Sequence, residues 1–307
     1  MRYRIVVNPT AGRGAAGRRW PAVAAELDRL GLDYEPHFTV GPGDATEVAR
    51  RAASEGFDAV VAAGGDGTLS EVVNGLVGTG RLLGILPMGS GNDFALAAGI
   101  GPGPFAAAQL LASPVPRLVD LGRVDGRYFI NVASAGMDAE IARLMNEDLR
   151  YLRGTTAYLA ATIATLFRFR PAPVRLELDG VVHELEAVLV AVANGQYYGG
   201  GMNITPRAVL DDGLLDVCAV GALGRLEFLR AFPSVFRGEH LSHPKISTFR
   251  ARRVVLYPAG ERPLLVQADG EIIGALPQEF VVEPAALTIL GPPAAVQSGW
   301  TSAAVGA

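Results

Sequence analysis

Two glycine turns, each fed by an apolar strand and each carrying one carboxylate, constrain this chain more than any other feature. The first is Val60-Val61-Ala62-Ala63-Gly64-Gly65-Asp66-Gly67-Thr68. The second follows Leu82–Leu86 and reads Pro87-Met88-Gly89-Ser90-Gly91-Asn92-Asp93-Phe94-Ala95. Short continuous apolar runs of this kind predict strands buried on both faces, as in a parallel sheet covered by helices. Turns at the carboxyl ends of neighbouring parallel strands face one crevice, where open α/β sheets bind ligands. Glycines let backbone N–H groups approach phosphate oxygens, and carboxylates can hold Mg²⁺ beside them. Two ordinary strand–turn–helix corners are the plainer reading. Several glycines with an acid and a hydroxyl in both turns favour phosphate binding.

The surrounding pattern agrees with a parallel sheet. Strand-like and helix-like segments alternate over residues 1–122: strands at Arg4–Asn8, Asp33–Phe38, Asp58–Ala62 and Leu82–Leu86, helices at Gly17–Leu30, Asp44–Ser54 (with Asp44 as N-cap), Thr68–Val77 and from Asn92. From about Val124 the segments turn mostly to β, with partial alternation and Gly/Pro/Asp turns. They are Arg127–Ala133, Val174–Leu178, Val181–Asn194, Leu214–Val220, Ala251–Tyr257 and Leu264–Ala268, interrupted by helices near Thr155–Phe169 and Leu226–Phe236. The expected architecture is a doubly wound parallel-sheet α/β domain (1–122) followed by a mainly antiparallel β-sandwich domain (123–285). The glycine turns then lie at the carboxyl edge of the first domain's sheet. Residues 286–307 form a last segment whose apolar Leu287–Leu290 returns to the first domain and whose tail after Pro293 is loose.

Composition narrows the function. A chain of 307 residues suits two domains, and with 50% hydrophobic and 19% charged residues it can build a real core. The net charge of −4 argues against a nucleic-acid partner. Cys218 is the single cysteine, which excludes a disulfide framework or cysteine metal cage and fits a reducing cytosol. Its apolar strand makes it a core residue. Met1-Arg2-Tyr3-Arg4 runs straight into a strand without the apolar region of a signal peptide. Thr155–Phe169 is shorter than the roughly 20 residues that span a bilayer. The expectation is a cytoplasmic protein that can still touch a membrane surface.

Asn8-Pro9-Thr10-Ala11-Gly12-Arg13-Gly14, between the first strand and helix, offers a further set of N–H groups to an anion. The chain has no G-x-x-x-x-G-K-[ST], and its spacing fails the G-x-G-x-x-G dinucleotide fingerprint. The order N-P-x-x-G-x-G, then G-G-D-G-T, then P-x-G-S-G-N-D-F-A resembles the soluble diacylglycerol kinase catalytic domain. Its superfamily includes sphingosine and ceramide kinases and, more distantly, NAD kinase. Further matches run through the second half: Val119-Asp120-Leu121-Gly122, Asn131 to Gly136, Asn194 to Gly201, Asp211-Asp212-Gly213-Leu214-Leu215-Asp216, Gly238 to Lys245, and Ala268-Asp269-Gly270-Glu271.

The resemblance implies an NAD kinase-like fold with the active site in the interdomain cleft, ATP as co-substrate and Mg²⁺. It implies nucleotide contacts at Asn8, Pro9, Thr10, Gly12 and Gly14, at Thr39, at Gly64, Gly65, Asp66, Gly67, Thr68 and Glu71, and at Ser90 and Asn92. It makes Asp66, Asp93 and Asp120 the acidic cluster that organises Mg²⁺, Glu271 the general base, and Asp269 its support. It makes Asp212, with the carbonyls of Val209 and Leu214, a structural metal loop that Asp211 and Asp216 assist through water. Taken by themselves, Asp93 also reads as an acid at a helix N-terminus, Asp120 as a turn residue, Asp211-Asp212 as an acidic turn, and Asp269-Gly270 as a hairpin turn. His240 and His243, without a third ligand nearby, read as structural.

The implied reaction is transfer of the γ-phosphoryl group to a lipid hydroxyl, foremost diacylglycerol to phosphatidic acid. Asn92-Asp93-Phe94 looks like the diacylglycerol kinase branch. Phosphatidylglycerol, a sphingoid base or NAD is the alternative acceptor, and a non-catalytic nucleotide- or lipid-binding protein the alternative class. The expected partner is a lipid at the inner face of the membrane, with a homodimer left open. Arg150, Arg153, Arg168 and Arg170 around Tyr158–Phe169 read either as a membrane-facing set or as the edge of a core helix.

Overall fold

The computed structural model describes residues 1–147, 165, 170–261 and 263–292. The chain forms a mixed sheet, parallel at its amino-terminal end and antiparallel beyond. Strands β1 (Arg2–Val7), β2 (Asp33–Phe38), β3 (Ala59–Gly64) and β4 (Leu82–Pro87) are parallel in the order β2-β1-β3-β4. All of β3 is buried, as its unbroken Ala/Val run requires, whereas the edge strand β2 has only exposed and half-buried residues. Helix α1 (Ala11–Arg29) packs with α5 (Pro104–Ala112), and α2 (Asp44–Ala52) with α3 (Asp66–Leu76). These pairs cover the sheet's two faces over a core that includes Val6, Leu27, Val61, Val73 and Leu86. A short helix, α4 (Asp93–Ala97), follows the second glycine turn.

The turn expected ahead of the first helix is present, and one local expectation, the cap of the second, shifts. The segment at Gly12, Arg13 and Gly14 is a left-handed turn (φ 58°, 60° and 77°) ahead of the regular part of α1. Asp44 is not the N-cap of α2. Gly43, at φ 83°, takes that place, and the Asp44 carboxylate instead accepts from Val40 N–H at 2.9 Å and lies 3.0 Å from His37 Nε2.

The second half is antiparallel. It comprises β5 (Val115–Val124), β6 (Arg127–Phe129), β7 (Val132–Gly136), helix α6 (Met137–Glu147), β8 (Ala172–Leu178), β9 (Val181–Ala193), a small ribbon of β10 (Tyr197–Tyr198) and β11 (Met202–Asn203), and β12 (Leu215–Gly221). Helix α7 (Arg225–Ala231), β13 (Ile246–Ala251), β14 (Arg253–Pro258), β15 (Leu265–Ala268), β16 (Glu271–Ala275) and β17 (Gln278–Gly291) complete it. The single strand expected over Arg127–Ala133 is broken because Ile130 and Asn131 give their N–H groups to the Asp269 carboxylate. The one expected over Ala251–Tyr257 divides at Arg252, whose N–H goes to Asp179. Before that break β13 pairs with β12, and after it β14 pairs with β8.

β17 ties the two halves together. It runs antiparallel to β5 from Phe280–Val124 to Gly291–Val115, and near its end Ile289 pairs in parallel with Leu83 of β4. A bulge interrupts it between Glu283 and Leu287, where Ala285 adopts φ 49°. No helix among the described residues is long and apolar enough to cross a membrane. The helix expected at Thr155–Phe169, Arg150, Arg153 and Arg168, and the tail after Pro293 lie outside the described residues.

Candidate active site

The loops after β1, β3 and β4 meet at the carboxyl ends of these strands. Asn8 organises the first: its Oδ1 accepts from Thr10 N–H (3.0 Å) and Oγ1–H (2.8 Å), and its Nδ2 donates to Thr68 Oγ1 at 2.9 Å. The Pro9 carbonyl accepts from Gly17 N–H at 3.1 Å, which turns the chain into α1. The successive left-handed residues 12–14 are a backbone geometry that gathers N–H groups around anions. The second and third loops pass so closely that only glycine fits at the crossing: a Cβ at Gly89 would stand 2.3 Å from Gly65 Cα. A Cβ at Gly64 would stand 2.5 Å from Thr68 Oγ1. Asn92, left-handed at φ 57°, clamps the third loop by accepting from Gly89 N–H (2.9 Å) and donating to Gly89 O (3.2 Å). Ser90 is exposed at its tip and Gly67 at the start of α3. Thr39 continues β2 by bonding Val7 O, and Glu71 accepts from Gly43 N–H at 3.0 Å.

Two acids converge on this cradle. A methyl group at Gly91 would lie 2.9 Å from Asp66 Oδ2 and 3.3 Å from Asp93 Oδ2, so only glycine leaves room between the carboxylates. Asp66 Oδ1 accepts from Phe94 N–H at 3.2 Å. Asp93 is buried and is held by the second half of the chain: Gly200 and Gly201 donate their N–H groups to it at 2.8 and 2.7 Å. These two belong to Gly199-Gly200-Gly201, all left-handed at φ 63°, 87° and 102°. Asp269 stands close enough for its charge to bear on both acids, and accepts from Ile130, Asn131 and Val132 N–H at 2.8, 3.0 and 3.3 Å. Burial pushes the Asp66 carboxyl upward despite its backbone donors. Burial, with the Asp66 charge adding, lifts Asp93 to about 6. Burial likewise lifts Asp269 to about 6.

Asp269 and Gly270 are the two turn residues of the β15–β16 hairpin, at φ 47° and 87°, and Ala268 pairs with Glu271 beyond them. Glu271 is exposed on this hairpin, paired with Arg127 at 2.7 Å. Behind the turn is a buried polar chain. Gly270 N–H donates to Gln267 Oε1 (2.7 Å), and Gln267 Nε2 donates to Ser134 Oγ (2.6 Å) and to Asp138 Oδ2 (3.3 Å). Asp138 also lines a narrow apolar cavity with Tyr198, Met202, Phe228, Phe232 and His240.

Other expected residues have partners elsewhere. Asp120 is buried, and both its oxygens accept backbone donors at 2.7 Å, Gly213 N–H on one and Ala285 N–H on the other. It thereby joins the Asp212 loop to the β17 bulge. Asp212 is ion-paired with Arg250 and accepts from Leu214 N–H at 3.1 Å. Asp216, lifted to about 6 chiefly by burial, lies 3.4 Å from the same arginine. His240 Nε2 lies 3.0 Å from Ile204 O, and Cys218 is buried with its thiol pushed up to about 12. Sequence reasoning assigned no role to Gly200, Gly201, Gln267, Ser134, Asp138 or Arg127. The Gly199–Gly201 run and the 134–138 spacing were visible, but their partners lie more than sixty residues away.

The donor chemistry fits Mg²⁺ at Asp66 and Asp93. Two closely placed carboxylates, Asp93 buried and Asp66 half-buried, repel one another, and a divalent cation removes that repulsion. Among the described residues no three His, Cys, Asp or Glu side chains converge on one point. That suits an ion taking most of its ligands from phosphate and water. A carboxyl that is lifted on folding binds protons better in the native state. Its stabilising contribution is complete below the ordinary carboxylate value near 4 and is lost as pH rises toward 6. The melting temperature without divalent ions should fall over that interval. Mg²⁺ should restore it at pH 8, by on the order of 5 °C, and have no effect at pH 5. Equal effects at both pH values in a thermal-shift series would place the ion away from these acids.

Residues 2–124 match the diacylglycerol kinase catalytic domain, and residues 131–291 match the YegS C-terminal NAD kinase beta sandwich-like domain. The chain is 36% identical over 283 residues to the diacylglycerol kinase of Bacillus subtilis (strain 168), covering 91% of this chain and 93% of that one. It is 36% identical over 294 residues to the diacylglycerol kinase of Mycobacterium tuberculosis (strain ATCC 25618 / H37Rv), covering 94% of each. Among solved structures, a diacylglycerol kinase from Bacillus anthracis str. Sterne superposes with a TM-score of 0.75 at 26% identity, over 95% of this chain and 97% of that one.

Proposed function

This chain belongs to the diacylglycerol kinase family, and we propose that it transfers the γ-phosphoryl group of ATP, with Mg²⁺, to the hydroxyl of diacylglycerol, giving phosphatidic acid. The observation that carries this reading is one loop that serves two environments. Gly200 and Gly201 hold Asp93 in the glycine cradle, and Tyr198, two residues earlier, lines the apolar cavity. A phosphate-binding crevice thus adjoins a greasy wall, which suits an acceptor with a hydroxyl on an apolar body and not a soluble dinucleotide.

The chain's own residues divide the work. The Asn8–Gly14 turn, the Gly64–Thr68 turn and the Gly89–Asn92 turn present backbone N–H groups to the triphosphate. When bound at Asp66 and Asp93, Mg²⁺ neutralises charge on the phosphates that the carboxylates alone would repel. Asp269 sits in the hairpin turn itself and takes three successive N–H groups of residues 130–132, so it acts as an organiser: it fixes the hairpin that carries Glu271. The exposed Glu271 carboxylate, once it leaves Arg127, accepts the proton of the lipid hydroxyl as the hydroxyl oxygen attacks the γ-phosphorus; the bond from that phosphorus to the β–γ bridging oxygen breaks and ADP leaves. Arg127 stands where it can hold that carboxylate in place between turnovers. Asp120 serves the site from a distance, by joining the 210–214 loop to β17.

The test is transfer of radiolabelled γ-phosphate from ATP, with Mg²⁺, into a panel of diacylglycerol, phosphatidylglycerol, sphingosine and NAD. Label is expected in diacylglycerol. Label in NAD would overturn the lipid reading, and label confined to phosphatidylglycerol or sphingosine would replace the acceptor.

A further inference from the structure

Helix α7 and the 3₁₀ turn that continues it (Phe232–Arg237) have two apolar faces at helical spacing. Phe228, Ala231, Phe232 and Val235 form the inner one and line the apolar cavity. Leu226, Leu229 and Phe236 lie on the outer one and are exposed, Leu226 by 70%. Exposed leucines are unremarkable singly, but here three large apolar side chains share one short segment with exposed Arg225, Arg230 and Arg237. Between residues 225 and 245 four cationic side chains stand against two carboxylates, in a chain whose net charge is −4; Arg237 pairs with Glu239 and Lys245 with Glu227, so the segment carries a net excess of two positive charges. Arg225, Leu226 and Arg230 also border an open surface groove with His243 and one carboxylate, Glu227.

The geometry points to this face as the docking surface for an anionic lipid bilayer, an assignment that rests on the lipid-kinase reading above. Charge complementarity selects the occupant. An apolar stripe flanked by arginines is what an interfacial helix presents to acidic headgroups and the acyl boundary beneath them. A protein partner of the same chain would have to accept that positive excess against itself. The position serves the reaction as well. The residues that would enter the interface and those that wall the cavity are on opposite sides of one helical segment, so docking sets the cavity wall directly against the lipid source. The stacked Phe228–Phe232 rings (centroids 5.6 Å apart) and the edge-on Phe232–Phe236 pair (5.9 Å) link the two faces.

The experiment is sedimentation of the full chain, without ATP, with vesicles of phosphatidylcholine alone or mixed with phosphatidylserine. Wild type should bind the mixed vesicles, less so as salt is raised, and bind the neutral ones weakly. The double variant Leu226→Glu/Leu229→Glu should lose at least about tenfold in partitioning. Arg230→Glu should lose at least about fivefold. Leu118→Glu, an exposed leucine on β5, should bind as wild type does. All three should keep the wild-type melting temperature and turn over a dissolved short-chain diacylglycerol normally. Equal binding by wild type and the α7 variants, or no preference for phosphatidylserine, overturns the assignment. Vesicle binding that follows this pattern in a protein inactive on every lipid would instead leave the surface standing and remove the kinase reading.

Discussion

Asp66→Asn should lower turnover by about 10³-fold or more while the chain stays folded, because phosphoryl transfer depends on electrostatic stabilisation of the charge spread over the transferring group. The substitution keeps an oxygen for the Phe94 N–H, which Asp66 Oδ1 accepts at 3.2 Å. It removes one of the two charges that flank Gly91, where any side chain would crowd both carboxylates. The effect on stability should have the opposite sign. Burial raises the Asp66 carboxyl, so at pH 8 its ionised form costs the ligand-free protein stability. The neutral amide should therefore leave the melting temperature unchanged or raise it at pH 8, and Mg²⁺ should no longer shift it. Joint loss of turnover and melting temperature would mean that Asp66 is a structural acid and that the cation has another site.

Glu271→Gln should lower kcat by about 10²- to 10⁴-fold, the range for loss of a positioned base, with KM for ATP unchanged. The separation follows from the topology. Glu271 is on the β15–β16 hairpin, whereas the glycine turns that would hold the nucleotide close the parallel strands. Its backbone is fixed independently of its charge, since the hairpin turn is held by Asp269 and by the Gln267–Gly270 bond. Gln cannot accept the proton, but it can still receive a hydrogen bond from Arg127, which now lies 2.7 Å from the carboxylate. An unchanged kcat, or a loss confined to KM for ATP, would remove Glu271 as the base.

Much of this arrangement was legible beforehand because it is local. The apolar runs 59–64 and 82–87 can only be buried strands, and glycines at 64, 65, 89 and 91 must turn where a side chain would not fit. The Asp269-Gly270 pair was readable both as a hairpin turn and as part of the chemistry, and it is the hairpin that places Glu271. Reading Asp44 as an N-cap failed because Gly43 accepts the left-handed conformation more cheaply, which freed the carboxylate for His37 and Val40.

The order of apolar strands and glycine turns was thus enough to specify a parallel sheet, the crevice at its carboxyl ends and the acids beside it. These follow from side-chain volume and backbone freedom within a few residues. Only the tertiary structure decided which donors each carboxylate faces. Asp93 meets the N–H groups of Gly200 and Gly201, Asp120 meets those of Gly213 and Ala285, and Asp269 meets those of residues 130–132. The same chemical group is thereby tied to a different segment at each position: the glycine loop 199–201, the 213 loop with the β17 bulge, or the strand break at 130–132. Those donors come from segments more than ninety residues away, brought there by strand pairing that no local pattern encodes.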